Sequence, residues 1–141
     1  MTSYTEIFEL FLNKISDIKM LSLSDEDITN LLTSYMFAAI ASMKECKTDL
    51  TDVDPVNKCF NNDLLGIEKE IISSGMVVQW LEPQLNSTLL THQFFGGKEE
   101  KFYAQANQLE KLQSLYDSTR IYVRKLSRDY TYQSYLKENL S

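Results

Sequence analysis

Few side chains in this chain have the types and spacing that catalysis or metal binding requires. The sequence contains one histidine, His92, and two cysteines, Cys46 and Cys59. Nucleophilic catalysis of the familiar kind needs a base beside a serine or cysteine, and zinc sites need closely spaced cysteine and histidine ligands. A single histidine far along the chain from either cysteine provides neither arrangement. We therefore predict a protein that is not an enzyme and that needs no metal or cofactor.

The acidic residues also lack the spacing of a binding site. Three of them lie in a turn-rich segment, 48–62: Asp49, Asp52 and Asp54. They lack the ligand spacing, the central glycine and the closing glutamate of an EF-hand loop, so helix caps and turns explain them better. Two further pairs fall at predicted helix starts, where the helix dipole favours negative charge: Glu68/Glu70 and Glu99/Glu100. These carboxylates predict local structure rather than chemistry.

Charge is distributed unevenly along the chain, which has a net charge of −6. Residues 1–97 carry six basic against fourteen acidic side chains, a net −8, and residues 98–141 carry eight against six, a net +2. Affinity for a phosphate backbone comes from clustered cations, so the acidic body argues against nucleic-acid binding as the main task. The milder basic end is either a solvated helix face or a surface for an acidic partner, such as another copy of the chain.

Length and composition indicate one folded domain. The chain has 141 residues, of which 43% are hydrophobic and 24% charged, which is ordinary for a globular protein. No apolar run approaches the roughly 20 residues that span a bilayer, and the N-terminus has no basic region followed by an apolar run. We expect synthesis and retention in a cytoplasm, where both cysteines are reduced thiols.

Helical periodicity covers most of the sequence. Apolar residues recur at helical spacing over four segments: 3–18, 24–46, 63–95 and 98–130. Ser3 and Ser24 begin the capping motifs of the first two. Gly75 and the small residues over 38–41 each permit the close approach of another helix. The predicted fold class is all-α: a bundle of about four to five helices with a long C-terminal helix, forming one domain over 1–130, and an extended C-terminal arm over 131–141.

A joint is predicted near the end of the third segment. Its residues are Trp80, Leu81, Pro83, Gly96 and Gly97. Pro83 removes one amide donor and clashes with the preceding turn, so we expect a kink or break over 79–82. The two glycines then end the helix. For Trp80 itself, filling the core is a simpler role than contact with a partner.

The C-terminal region combines aromatic and basic side chains. Its candidate partner-binding residues are Tyr122, Arg124, Arg128, Tyr130, Tyr132, Tyr135 and Leu136. Aromatic residues among basic ones can stack on single-stranded bases, but protein interfaces use the same mixture. Because the chain as a whole is acidic, we favour protein contact over nucleic acid.

Several motifs relate the chain to a known group of proteins. In chain order they are LTSYMFAAI (32–40), CKTDL (46–50), MVVQWLEPQLNS (76–87), QFFGGK (93–98), YAQANQL (103–109) and RDY (128–130). This order resembles that of small structural proteins encoded by tailed phages and prophages of Gram-positive bacteria, among the head–tail connector or adaptor proteins. The resemblance covers most of residues 20–130, and WLEPQL is its most specific run.

The resemblance implies a virion protein of the phage neck. Copies of a mostly helical subunit would form a ring, dodecameric in related adaptors, between the portal protein and the next neck or tail protein. DNA would pass through the lumen without sequence-specific binding, and an acidic lumen would favour smooth passage. No membrane contact and no catalytic residue are implied. Two alternatives stay open: another neck or tail component, such as a stopper or tail terminator, and a helical regulator that binds nucleic acid through residues 120–128.

Overall fold

The computed structural model describes residues 1–15, 24–43, 46–95 and 99–140, without the side chains of 88–95, 99–105, 134–135 and 137–140. The elements of this part are β1 (Thr2–Ser3), α1 (Tyr4–Leu12), α2 (Asp25–Ala41), β2 (Val53–Asp54), β3 (Cys59–Phe60), α3 (Gly66–Phe95) and α4 (Glu99–Leu140). The protein is mostly helical with a long C-terminal helix, which confirms the broad prediction. A small three-stranded sheet makes the strict all-α assignment wrong.

The first two helices begin at the predicted caps. Ser3 Oγ accepts a hydrogen bond from the Glu6 amide, and Ser24 Oγ accepts one from the Asp27 amide, each at 3.2 Å. These bonds satisfy amides that the first helical turn leaves without a partner. Both helices end earlier than predicted, at Leu12 and Ala41. After α2, the hydroxyl of Ser42 donates to the Ala39 carbonyl at 2.7 Å, and this local bond competes with a further helical turn.

The sheet has the order β1-β3-β2, and both strand pairs are antiparallel. Phe60 lies opposite both Thr2 and Val53. Between β2 and β3, Lys58 adopts a left-handed φ of 53° in the turn. Strands of two residues are too short to show an alternating pattern of apolar and polar residues, which is why the sequence did not indicate them.

The turns around the sheet depend on aspartate side chains, as predicted. Asp54 Oδ1 accepts from the amides of Val56 and Asn57, each at 3.1 Å. Asp49 Oδ1 accepts from both the amide and the hydroxyl of Thr51. Short bonds of this kind from Asp to the following backbone stabilise turns. The interpretation of these carboxylates as turn-forming residues is confirmed.

The core lies where α1, α2 and the sheet pack on the first half of α3. Its most buried side chains are Ile7, Phe11, Met36, Phe60, Ile72, Met76 and Leu81. Helices α2 and α3 approach each other closely at Gly75, where an added Cβ would lie 3.0 Å from Ala39 Cβ. The predicted close approach at Gly75 and at residues 38–41 is therefore one and the same contact.

Helix α3 continues through Pro83, so the chain does not break over 79–82, and a kink at this point stays a prediction. The side-chain amide of Gln84 donates to the Trp80 carbonyl at 3.0 Å beside the proline. Leu81, two residues before Pro83, is completely buried. Proline removes a single amide donor at a cost of about 3 kcal/mol, and the packing of several side chains outweighs that cost.

Helix α4 also differs from the prediction at its end. Residues 131–140 continue the helix, so the predicted extended arm over 131–141 is wrong for these residues. Thr131 shows the helical geometry, since its hydroxyl donates to the Ser127 carbonyl at 2.9 Å. Loss of the apolar period had suggested an arm, but good helix formers such as Leu136 and Lys137 need no core-facing stripe to remain helical.

Candidate interaction surface on the C-terminal helix

Three tyrosines of α4 donate hydrogen bonds to glutamates of α3. The pairs are Tyr116–Glu82 at 2.9 Å, Tyr122–Glu70 at 3.1 Å and Tyr130–Glu68 at 2.8 Å. As the residue number rises along α4 it falls along α3, so the two long helices are antiparallel. Bonds to charged acceptors are stronger than neutral ones. These three contacts fix the register of α4 on the body and therefore decide which of its sides faces outward.

Glu68 lies at the centre of a buried polar cluster that the sequence analysis missed. Its side chain is completely buried and accepts five hydrogen bonds, from Cys46 Sγ, the Thr48 amide, Thr48 Oγ1, the Leu65 amide and Tyr130 OH. The bond from Leu65 is the returning half of a capping box, because Glu68 lies in the first turn of α3. The helix dipole alone, which the sequence suggested as its role, does not explain this residue.

The titration behaviour of the cluster follows from its geometry. Burial raises the pKa of Glu68, but the hydrogen bonds from Cys46, Leu65, Thr48 and Tyr130 favour the carboxylate and hold that pKa below its usual value. Burial and the bond to Glu68 raise the pKa of the Cys46 thiol to about 11. Burial likewise raises the pKa of the Tyr130 hydroxyl well above its usual value, as does its bond to Glu68. At neutral pH one carboxylate is therefore surrounded by neutral donors.

Two of the predicted partner-binding tyrosines make contacts within the chain. Tyr130 is 4% exposed, and its hydroxyl both donates to Glu68 and accepts from the Lys47 amide at 2.7 Å. Tyr130 is thus part of the body and is not accessible to a partner. Tyr122 is 44% exposed, but its hydroxyl is bound to Glu70. Composition could not separate these residues from their neighbours, because it does not show which side of a helix is packed.

The candidates Arg128, Tyr132 and Leu136 lie on the opposite side of α4, and Arg124 lies at the edge of that side. Residues 121, 125, 128, 132 and 136 follow one another at helical spacing, and at about 3.6 residues per turn they lie opposite Tyr116 and Tyr130. We define the outward face as six exposed side chains: Ile121, Arg124, Lys125, Arg128, Tyr132 and Leu136. Ile121 is 61% exposed and Tyr132 63%. Large apolar side chains beside arginines are typical of protein interfaces.

The predicted joint residues belong to the body where they are described. Trp80 packs against the core, with its ring 6.5 Å from that of Phe11 in an edge-to-face arrangement. Leu81 is completely buried, and Pro83 is exposed. This agrees with core filling as the simpler role of Trp80. Gly96 and Gly97, and the side chains of His92 and Tyr135, lie outside the described residues.

The described part of the chain contains no group of three or more His, Cys, Asp or Glu side chains placed to hold a metal ion. No helix within the same ranges has the length and apolar character to cross a bilayer.

A shallow groove of about 410 Å³ runs from Ile40 to Thr51 past Cys46. A thiol with a pKa of about 11 stays protonated at neutral pH and acts there as a hydrogen-bond donor, since the thiolate is the nucleophile.

Comparison of the chain with protein-family models, with curated proteins and with solved structures finds no match. The resemblance to phage connector proteins therefore stays a prediction from the motifs. What the fold defines is a mostly helical protein whose long C-terminal helix packs on the body along one side and carries exposed apolar and basic side chains along the other.

Proposed function

We propose that this protein is a structural virion protein, a head–tail adaptor whose copies form a homomeric ring between the portal and the tail. The observation that carries the proposal is the outward face of α4. Ile121, Tyr132 and Leu136 expose apolar area there beside Arg124 and Arg128. The packed side of such a helix contributes to the core of its own subunit. Its exposed side is available to contact neighbouring subunits.

The motif order supports the neck of a phage as the place of assembly. In this proposal the ring, expected to be dodecameric, binds the portal protein on one side and the next neck or tail protein on the other. DNA passes through the lumen during packaging and ejection. The net charge of −8 over residues 1–97 favours passage without binding, because acidic walls repel the phosphates.

The mostly helical fold favours an adaptor over a stopper or tail terminator, since those neck components more often use β-rich folds. A nucleic-acid-binding regulator is the weaker alternative. It would rely on the basic residues of 120–128, but Arg120 lies 5.3 Å from the centre of the Tyr116 ring, where it packs against its own helix. A non-enzymatic role is part of the proposal, and the protonated thiol of Cys46 agrees with it.

The proposal is tested by measuring mass. Purified protein is analysed by light scattering alone and after mixing with the portal ring encoded by the same genome. We expect capture into a high-mass complex on the portal. The Tyr132→Ser/Leu136→Ser variant should assemble less completely, whereas Leu12→Ser, which changes an apolar side chain exposed to 41% on α1, should assemble like the original protein. Absence of any complex with the portal would overturn the adaptor function.

A further inference from the structure

We propose that the outward face of α4 in one copy binds the acidic hairpin of the next copy. The acidic hairpin is defined here as residues 49–63, which contain β2, β3 and the turn between them. The inference rests on the homomeric ring of the proposed function and names the two surfaces that join its subunits. The contact is head-to-tail, and contacts between two different surfaces form closed rings when the rotation between subunits allows it.

Opposite charge is the first argument for a second copy as the partner. The acidic hairpin carries four aspartates, Asp49, Asp52, Asp54 and Asp63, against a single lysine. Asp63 is ion-paired with the N-terminal ammonium group, which leaves three aspartates for a partner. Residues 121–136 carry Arg124, Lys125 and Arg128 against Asp129 alone. Complementary patches of this kind select the partner and fix its orientation. Arrangements that place like charges against each other are disfavoured by electrostatic repulsion.

Spacing is the second argument. Arg124 and Arg128 are one helical turn apart, about 6 Å on the helix surface. Asp52 and Asp54 are two residues apart on an extended chain, about 6.6 Å on the same side. Asp52 continues the strand ladder, because its carbonyl accepts from the Asn61 amide at 3.0 Å. Two arginines and two aspartates can therefore pair without a change in either backbone.

The aspartates retain capacity for this pairing. Asp52 accepts one side-chain bond, from Asn61 Nδ2 at 2.8 Å. Asp54 accepts two backbone bonds on Oδ1 and one from Asn57 Nδ2 on Oδ2. An ionised carboxylate offers about four acceptor positions. Exposed Asp52 thus retains most of its acceptor positions, whereas half-buried Asp54 retains about one for a guanidinium.

An apolar contact completes the match. Val56 lies in the turn of the acidic hairpin and is 87% exposed. With Asp52 facing Arg128 and Asp54 facing Arg124, the Val56 side chain would contact Ile121, whereas Tyr132 lies three helical turns, about 16 Å, further along the helix. Burial of exposed apolar area adds affinity that charge alone does not provide.

One such contact is small. The outward face from Ile121 to Leu136 is about 22 Å long and about 10 Å wide, which is well below the roughly 800 Å² per partner of a standard stable interface. Association of the free protein is therefore expected to be weak and sensitive to salt. In a ring every subunit makes the contact twice, once with each neighbour.

Sedimentation velocity on the full chain, from about 10 μM to about 1 mM at low salt, tests the inference by charge exchange. Arg128→Glu and Asp52→Lys should each weaken self-association about tenfold or more. Lys111→Glu reverses a charge on the same helix, at a position before the outward face, and should leave self-association unchanged. An equimolar mixture of Arg128→Glu and Asp52→Lys should restore association. The glutamate at position 128 of the first variant then faces the lysine at position 52 of the second, and the unchanged Arg128 of the second faces the unchanged Asp52 of the first. Circular dichroism checks that each variant remains helical.

The inference is overturned if the original protein stays monomeric up to about 1 mM, if the mixture associates no better than its components, or if Lys111→Glu weakens association equally. The adaptor function is tested separately by capture on the portal. Capture without self-association through these surfaces removes the inference alone. Restored association in the mixture without portal capture removes the adaptor function and leaves the contact.

Discussion

Tyr130 on α4 and Glu68 on α3 are 62 residues apart in sequence, and their side chains share a 2.8 Å hydrogen bond in the interior. The same tyrosine hydroxyl accepts from the Lys47 amide, and the same carboxylate accepts from Cys46 and Thr48. One buried pair thus joins α4, the start of α3 and the segment that follows α2. Since the outward face lies on the other side of α4, this pair also holds the proposed assembly surface in place.

Removal of the Tyr130 hydroxyl should destabilise the fold. Tyr130→Phe keeps the ring but leaves the Lys47 amide without this acceptor and takes one donor from Glu68. We expect the free energy of unfolding to fall by about 1–3 kcal/mol, measured by urea denaturation. Tyr132→Phe is the matched control, because Tyr132 is largely exposed, and it should change stability by less than about 0.5 kcal/mol. Equal effects of the two variants would show that the buried bond contributes nothing.

Glu68 should make stability depend on acid pH. Its pKa in the folded state is held below its usual value, so the ionised carboxylate stabilises the fold above the unfolded-state pKa of about 4.3. This contribution is lost as the pH falls through the lower folded-state pKa. Glu68→Gln should be less stable than the original protein at pH 7, and the difference should shrink below about pH 4.

Urea denaturation from pH 7 to pH 3 measures this difference. Glu26→Gln, an exposed acidic residue in the first turn of α2, is the control and should follow the original protein closely. A stability difference for Glu68→Gln that stays constant down to pH 3 would contradict the role of the ionised carboxylate.

Cys46 should react slowly for a half-exposed thiol. With a pKa of about 11, its thiolate fraction at pH 8 is roughly 200-fold below that of an ordinary cysteine with a pKa of about 8.5. Alkylation by iodoacetamide at pH 8, followed by mass spectrometry of the peptides, should therefore be slow in the folded state and fast in urea. Glu68→Gln should speed it in the folded state, since the neighbouring negative charge is removed. A folded-state rate equal to that of a small thiol would contradict the bond to Glu68.

The same raised pKa predicts alkaline destabilisation. The folded state favours the protonated thiol of Cys46, so its contribution is complete below the unfolded-state pKa of about 8.5 and is lost as the pH rises towards 11. Thermal unfolding between pH 8 and pH 10.5 measures the loss. Cys46→Ser, whose hydroxyl does not titrate in this range, should show a shallower decline; an identical decline would assign the effect to other groups.

Local features of the fold could be predicted from the sequence. Caps at Ser3 and Ser24 depend on a side chain and an amide three residues later, so their whole cause lies within one helical turn. The turn-forming role of Asp49 and Asp54 is local in the same sense. The position of the long C-terminal helix followed from its length and polarity.

Features set by tertiary contacts could not be predicted. The sheet depends on pairing between residue 2 and residue 60, and each strand is too short to carry a pattern. The division of the C-terminal tyrosines into buried and exposed members depends on which side of α4 meets α3. Glu68 illustrates the difference. The sequence indicated its place in the first turn of α3. Four of its five hydrogen bonds, however, come from Cys46, Thr48 and Tyr130, which only the tertiary fold brings near.

The contact between Gly75 and Ala39 should resist enlargement. A methyl group at Gly75 would lie 3.0 Å from Ala39 Cβ, closer than packed carbon atoms normally approach. Alanine gains up to about 1 kcal/mol of helix propensity, whereas overpacking costs about 1–3 kcal/mol, so Gly75→Ala should be destabilising by about 1 kcal/mol. Urea denaturation of a double-mutant cycle tests the cause, since Ala39→Gly should reverse the overpacking. Simple additivity of the two changes would show that the helices can move apart at no cost.

Pro83 is the position where the local and tertiary arguments conflict most directly. Because α3 continues through this exposed proline, Pro83→Ala should restore one helical hydrogen bond and stabilise the protein by about 1–3 kcal/mol, measured by thermal denaturation. Asn86→Ala, an exposed change in the same helix, isolates the gain from helix propensity alone, which should be about 0.5 kcal/mol. If Pro83→Ala instead destabilises, the proline shapes the helix so that Trp80 and Leu81 pack correctly, which is the joint that the sequence predicted. If it stabilises but weakens capture on the portal, the helix is shaped for assembly at the expense of stability.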